Sequence, residues 1–283
     1  MNLLEQTKKI CNKYNIKPAR SKGQNFLINE SVYDEIIKSA DLKKDDVVLE
    51  VGPGLGFLTE KLAEKVKKVI AVELDDKLVK VLQFRMTKYA IGNVKIINED
   101  VLKIQNSKLN YLLKIQNLKL KIVANLPYNI TSIFLRKFLS AEIKPTSMVL
   151  MLQKEVAERI CAKPPKMSLL SVSVQFYANP KIIQNISANC FWPKPAVDSA
   201  IIKLNIKSPS GSQTTEWLNT INENDFFKLV KKGFSSRRKM LKNNLANDYY
   251  NIEDKLKKNN FNPKIRAQEL SVDNWKKIFG EFI

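Results

Sequence analysis

Histidine is absent from the 283 residues. That excludes serine-histidine-aspartate and cysteine-histidine nucleophilic sites, HExxH zinc sites and any histidine general base. Cysteine is scarce. Cys11, Cys161 and Cys190 lie far apart, are odd in number and form no CxxC pair, so they read as reduced structural thiols, and no metal site is expected. No apolar run approaches the roughly 18 residues that a bilayer span needs. The opening MNLLEQTKKICNKYNIKPAR carries neither the hydrophobic stretch nor the cleavage site of a signal peptide. A cytoplasmic location without membrane contact is expected.

Acids are the other deficit. The 48 Lys and Arg against 28 Asp and Glu leave a net charge of +20. Only seven of the basic residues are Arg. Compositional drift explains Lys over Arg but not the shortage of acids. A soluble chain this basic suits a polyanion, and no basic amphipathic anchor points to a membrane, so nucleic acid is the expected partner. The length suits one large domain or two unequal ones.

From residue 42 to about 153 strand and helix signals alternate, in the manner of βαβ units. VVLEV (47–51), VIAVE (69–73), VKIIN (94–98), KIVAN (121–125) and SMVLML (147–152) read as strands. FLTEKLAEKVKK, DKLVKVLQFRM and SIFLRKFL read as helices between them. This predicts an α/β fold with a mainly parallel sheet. Residues 154–178 read as helical with a break at Pro164-Pro165, and β-rich stretches follow near 180–187 and 197–206. SPSGSQTT (208–215) has linker composition, and the remainder is helical in pattern. The expected division is 1–206 and 207–283.

Glycine is sparse as well. Of eight in the chain, Gly52, Gly54 and Gly56 fall within five positions of EVGPGLGFLT. Such a turn, leaving a strand for a helix, lets backbone approach a ligand without a Cβ in the way. A plain tight turn is the simpler alternative. No Walker loop is present, and GxGxxG fails because Phe57 stands where its last glycine belongs. Glu73 ends the second strand, where a carboxylate can accept from a ribose diol. Asp100 follows the third strand and can accept from an adenine amino group. Glu50 just before the turn disfavours a pyrophosphate, whereas a cationic sulfonium tolerates carboxylates. The combination favours S-adenosylmethionine (AdoMet) over NAD. Either acid alone also reads as a solvated strand end.

The fourth strand runs into Asn125, Leu126, Pro127 and Tyr128. In a doubly wound sheet that turn faces the ligand crevice. An adenine N6 lone pair is delocalised into the ring, and the amine is a poor nucleophile. The Asn125 side-chain oxygen and the Leu126 carbonyl can accept its N–H groups and stabilise positive charge developing on nitrogen. Pro127 stiffens the turn, and Tyr128 can stack on the base. An ordinary strand-end β-turn is the alternative. In FWPKPAVDS (191–199), Phe191 or Trp192 can supply the other face of a base clamp, with Phe191 preferred, or the loop can pack on the core. Finally, KLVKKGFSSRRKMLK (228–242) reads as a basic helix without an acid. Its Lys228, Lys231, Lys232, Arg237, Arg238, Lys239 and Lys242 are candidate phosphate contacts, or a solvated face.

GQNFL (23–27), EVGPGLGFLT, AVELD, NEDVLK, ANLPYNI, MLQKEVAERI, FWPKPAVDSA and GFSSRRKMLKNNL occur in order. Together they make the chain resemble the ribosomal RNA adenine N6,N6-dimethyltransferase family. The resemblance implies a Rossmann-like AdoMet-dependent methyltransferase domain with a small helical RNA-binding domain. It implies dimethylation of two adjacent adenosines near the 3′ end of small-subunit rRNA, as naked RNA or in a particle, by a monomeric enzyme active in subunit maturation. By matching positions it places Asn25, Leu27, Gly52, Gly54, Glu73, Asp100, Val101 and Asn125 at the cofactor. The macrolide-resistance methylases of large-subunit rRNA share much of this pattern, but NLPY, GQNFL and RRKMLKNNL are more similar to the small-subunit enzymes. A non-catalytic ribosome-assembly factor on the same fold is a further alternative. Lack of histidine departs from typical members, though no matched position requires one.

Overall fold

A computed structural model of the protein describes residues 1–18, 24–104, 119–207 and 222–281. The expected linker at 208–215 lies outside the described residues, as does Gly23 of GQNFL. The chain forms two compact units. One comprises Met1–Ala157 with Pro180–Ile206, the other Glu158–Asn179 with Lys207–Ile283. Residue 206 is one crossing between them, but 158–179, kept with the first unit in the sequence reading, join the second.

In chain order the first unit begins with α1 (Leu3–Lys13), β1 (Phe26–Leu27), α2 (Glu30–Ala40), β2 (Val47–Val51) and α3 (Phe57–Ala63). It continues through β3 (Lys68–Glu73), α4 (Asp76–Lys88), β4 (Val94–Asn98), β5 (Leu120–Asn125), α5 (Thr131–Leu139) and β6 (Ser147–Gln153). After α6 (Lys154–Ile160) and α7 (Leu169–Tyr177) come β7 (Ala178–Ile186), β8 (Phe191–Trp192) and β9 (Ser199–Ile206). The helices α1 and α2 are additions to the sequence reading. Both carried start signals: Asn2 and Glu5 form a reciprocal cap, and Asn29 caps α2 through Val32 N.

Seven strands form one sheet in the order β4-β3-β2-β5-β6-β9-β7. β4 through β6 run parallel, and β9 returns antiparallel to β6. The central strands are predominantly apolar, and Val48, Leu49, Ile70 and Ile122 are fully buried. That pattern belongs to parallel strands covered on both faces, each such side chain contributing about 1.5–3 kcal/mol. From β2 the chain builds outward on one side through β3 and β4, then crosses to β5 and builds the other way. The switch between β2 and β5 opens a crevice beyond their carboxyl ends. At the opposite ends, Lys121 Nζ pairs with buried Asp46 at 2.8 Å and donates to Asp41 O, fastening these two strands.

The second unit also contains α8 (Glu223–Gly233), α9 (Leu241–Leu245), α10 (Ile252–Lys258) and α11 (Val272–Gly280). Phe226 on α8 packs on Phe176 of α7 and Phe279 of α11 at ring separations of 4.8 and 5.6 Å. The expected continuous basic helix over 228–242 is not formed. α8 stops at Gly233, where a Cβ would stand 2.3 Å from the Trp275 ring. Asn244 Nδ2 then donates to Gly233 O at 2.6 Å and Ser236 O at 2.9 Å, fixing a loop before α9. Nor is the segment free of acids in space: Lys228 pairs with Asp225, Lys232 with Asp248 and Lys242 with Glu253.

Candidate active site

The glycine turn leaves β2 with positive φ at all three glycines: +67° at Gly52, +58° at Gly54 and +85° at Gly56. Any other residue is strained there. A Cβ on Gly52 would meet the Asn125 backbone oxygen at 3.6 Å, so the turn lies directly against the end of β5. Glu73, at the end of β3, holds the turn in shape. Its Oε2 accepts from Gly54 N at 3.1 Å and its Oε1 from Asp75 N at 2.9 Å. Burial pushes the Glu73 carboxyl upward, and these two N–H groups pull it back. Beneath the turn, Glu50 is 1 % exposed, and burial raises its carboxyl to about 8.

After β4, Asp100 closes a tight turn on itself. Its Oδ1 accepts from Leu102 N at 2.9 Å, and its backbone oxygen accepts from Lys103 N and Ile104 N. β5 ends at half-buried Asn125. Leu126 turns its side chain into the core and its N–H to Met151 O, and Pro127 O accepts from Ile130 N. The Tyr128 hydroxyl is 2.9 Å from Ser199 Oγ at the start of β9. β1 and β8 form a separate two-stranded ribbon pairing Leu27 with Phe191 and Phe26 with Trp192. That ribbon brings the GQNFL and FWPKP segments together across about 165 residues of chain, a connection beyond the reach of spacing arguments.

These elements enclose one cavity of about 390 Å³. Asn25, Gly52, Gly54, Glu73, Asp100, Val101, Asn125, Leu126, Pro127, Tyr128 and Phe191 all line it. Leu27 does not. It is 2 % exposed in the core beneath, its carbonyl accepting from the Tyr33 hydroxyl. Leucine at a short strand's inward position is a core residue first. The sequence reading missed Gln24, Asp75 and Glu99, which also line the cavity. Asp75 was visible as the helix-capping residue after AVEL; Gln24 and Glu99 gave no signal separate from their neighbours.

Among the described residues the lining includes four acidic side chains, Glu73, Asp75, Glu99 and Asp100, and no Lys or Arg. In a chain of net charge +20 this is a local reversal of sign. A volume of this size suits a small ligand, for which about 300–1,000 Å³ is usual. The glycine cradle, the acids and the missing cations together fit a cationic nucleoside-like molecule and oppose a polyphosphate. Among the described residues no group of three or more His, Cys, Asp or Glu is placed to hold a metal ion, and no helix is long and apolar enough to cross a membrane.

Of the seven basic candidates, Lys228, Lys232 and Lys242 are engaged in the ion pairs given above. Lys231, Arg237, Arg238 and Lys239 are exposed and make no ion pair among the described residues.

Residues 15–283 match the family model described as ribosomal RNA adenine dimethylase. The chain is 43% identical over 285 residues to a ribosomal RNA small subunit methyltransferase A of Dehalococcoides mccartyi, covering 99% of this chain and 94% of that protein. It is 40% identical to a protein of the same name from Clostridium botulinum, covering 96% of each. Among solved structures it is similar to a dimethyladenosine transferase from Plasmodium falciparum, with TM-score 0.73, 26% identity and coverage of 90% of this chain and 96% of that one. A 23S rRNA methyltransferase at 23% identity and TM-score 0.70 shares the fold.

Proposed function

The chain belongs to the ribosomal RNA adenine dimethylase family, and from that premise we propose that it transfers methyl groups from AdoMet to the N6 atoms of two adjacent adenosines near the 3′ end of small-subunit rRNA. The observation that carries this reading is the acidic cavity at the β2–β5 switch of a strongly basic protein, lined by no Lys or Arg among the described residues. It fits a sulfonium cofactor inside and a polyanion outside. The macrolide-resistance reading gains no support beyond the common fold.

When bound, AdoMet supplies an electrophilic methyl group on a sulfonium. The remainder of the mechanism belongs to this chain's residues. Gly52 and Gly54 let backbone approach the cofactor, Glu73 accepts from its ribose, and Asp100 with Val101 takes its adenine. Asn25 completes the cofactor wall. The Asn125 amide oxygen and the Leu126 carbonyl accept the two N–H bonds of the target amine, so positive charge forming on nitrogen meets acceptors already in place. No general base is needed to start the transfer; the extra proton of the product leaves to solvent. Tyr128 and Phe191 sandwich the extruded base and align its nitrogen with the methyl. Leu27 supports this wall from the core rather than touching the ligand.

We assign cofactor and base to the unit of 1–157 with 180–206, and phosphate contact to the second unit through the loop carrying Arg237, Arg238 and Lys239. The protein acts in the cytoplasm as a monomer, on small-subunit rRNA or an assembling particle. Incubation with labelled AdoMet and unmethylated small subunits should place label in N6,N6-dimethyladenosine. No labelled dimethyladenosine, or rescue of a deletion strain by an Asn125→Ala protein, would favour a purely structural assembly role.

A further inference from the structure

Lys137 lies on α5, the helix entered directly from the Asn125–Tyr128 turn, and is outside the cavity. Its Nζ reaches back across the crevice wall and donates to Leu102 O at 2.9 Å and Ile104 O at 2.6 Å. Both carbonyls belong to the turn that Asp100 closes. One ammonium therefore gathers two carbonyls of a five-residue loop whose first member is the proposed adenine acceptor. Burial pulls the Lys137 ammonium downward, and the negative charge of Asp100 nearby supports it. A solvated surface lysine has neither constraint.

We propose that Lys137 is a positioning residue for the cofactor's adenine: it fixes the 100–104 turn so that Asp100 presents a side-chain acceptor oxygen to the 6-amino group. The inference rests on the AdoMet reading and adds to it a mechanical link between the two halves of the site. α5 carries the methyl-acceptor turn at its start and the lysine that shapes the adenine wall two turns later. A carboxylate acceptor favours a 6-amino purine and opposes a 6-oxo purine, which offers an acceptor of its own at that position.

The test measures affinities of full-length protein for S-adenosylhomocysteine and S-inosylhomocysteine by calorimetry. Wild type should prefer the adenosyl ligand by on the order of tenfold or more, as expected where a site is built around a hydrogen-bonding group. Lys137→Met should bind the adenosyl ligand about tenfold more weakly and lose most of that preference, with kcat at saturating AdoMet little changed. Lys137→Arg should restore the preference. Lys137→Gln, too short to reach both carbonyls, should behave as the Met variant and serves where that variant does not fold. An unchanged preference in the Met or Gln protein, or equal weakening of both ligands, overturns the role of Lys137 alone. Failure of wild type to bind either ligand overturns the AdoMet reading, and this inference with it.

Discussion

The Tyr128 hydroxyl and Ser199 Oγ stand 2.9 Å apart, joining the end of the β5 turn to the first residue of β9. Ser199 is completely buried, whereas Tyr128 lines the cavity. A single hydrogen bond of this kind is worth about 1 kcal/mol. Ser199→Ala should lower kcat/KM for RNA by about fivefold and leave AdoMet affinity unchanged. Tyr128→Phe strands the buried serine hydroxyl, which costs about 1–3 kcal/mol of stability. The double variant should recover part of that loss, and thermal denaturation of the three proteins checks it.

Asn125 contributes an acceptor whose value grows as charge develops on the attacking nitrogen. Asn125→Ala should therefore reduce turnover by on the order of 100-fold while AdoMet affinity changes little. Single-turnover methylation and equilibrium binding separate the two. Equal losses in both would make Asn125 a cofactor-binding residue only.

The parallel sheet was legible because its strands are short and rich in β-branched residues, and the glycines and acids between them mark strand ends by position. Half of the cavity's lining was named from strand order together with the family resemblance. Three things were not legible. The β1–β8 ribbon pairs segments that no local pattern links. Leu27 sits in the same five-residue motif as Asn25, but its apolar side chain is buried in the core instead of facing the cavity. The basic segment reads as one helix because its residues favour helix, yet Trp275, distant in sequence, and Asn244, just past the segment, end that helix at Gly233.

Glu50 predicts a specific pH dependence of stability. An unfolded glutamate ionises near 4.5, and burial raises the native carboxyl to about 8, with the charge of Glu73 adding to the effect and the Thr59 hydroxyl opposing it. The native state thus favours the protonated form. Its contribution is full below about 4.5 and is lost as pH rises through about 8. Glu50→Gln stays neutral throughout. Urea unfolding should show wild type losing stability relative to the Gln variant between these limits. Parallel profiles would place an ionised carboxylate at residue 50.

Gly56 combines φ of +85° with a Cβ position 2.7 Å from Leu82 Cδ1. Gly56→Ala should destabilise the protein by about 1–3 kcal/mol, visible as a lower Tm. Bound AdoMet should recover part of the loss by mass action if the turn forms its cradle. A variant as stable as wild type would mean that α3 starts with slack.

The ion pairs of the second unit separate three paired lysines from three exposed loop residues, with different expected salt responses. Lys228, Lys232 and Lys242 lie 2.9, 2.6 and 2.7 Å from Asp225, Asp248 and Glu253. A phosphate must compete with a carboxylate already there, and the exchange releases few counterions. Arg237, Arg238 and Lys239 are exposed on the loop between α8 and α9 and meet no such competitor among the described residues. Each phosphate neutralised adds about 0.7–0.9 to the slope of log affinity against log salt. Replacing all three loop residues with Ala should therefore flatten the slope by about two to three, and replacing the three paired lysines by less. Filter binding of small-subunit rRNA from 50 to 300 mM salt would read both slopes. The reverse ranking would move the RNA contact from the loop to the faces of the flanking helices, because only a phosphate that displaces those carboxylates could make the paired lysines dominate.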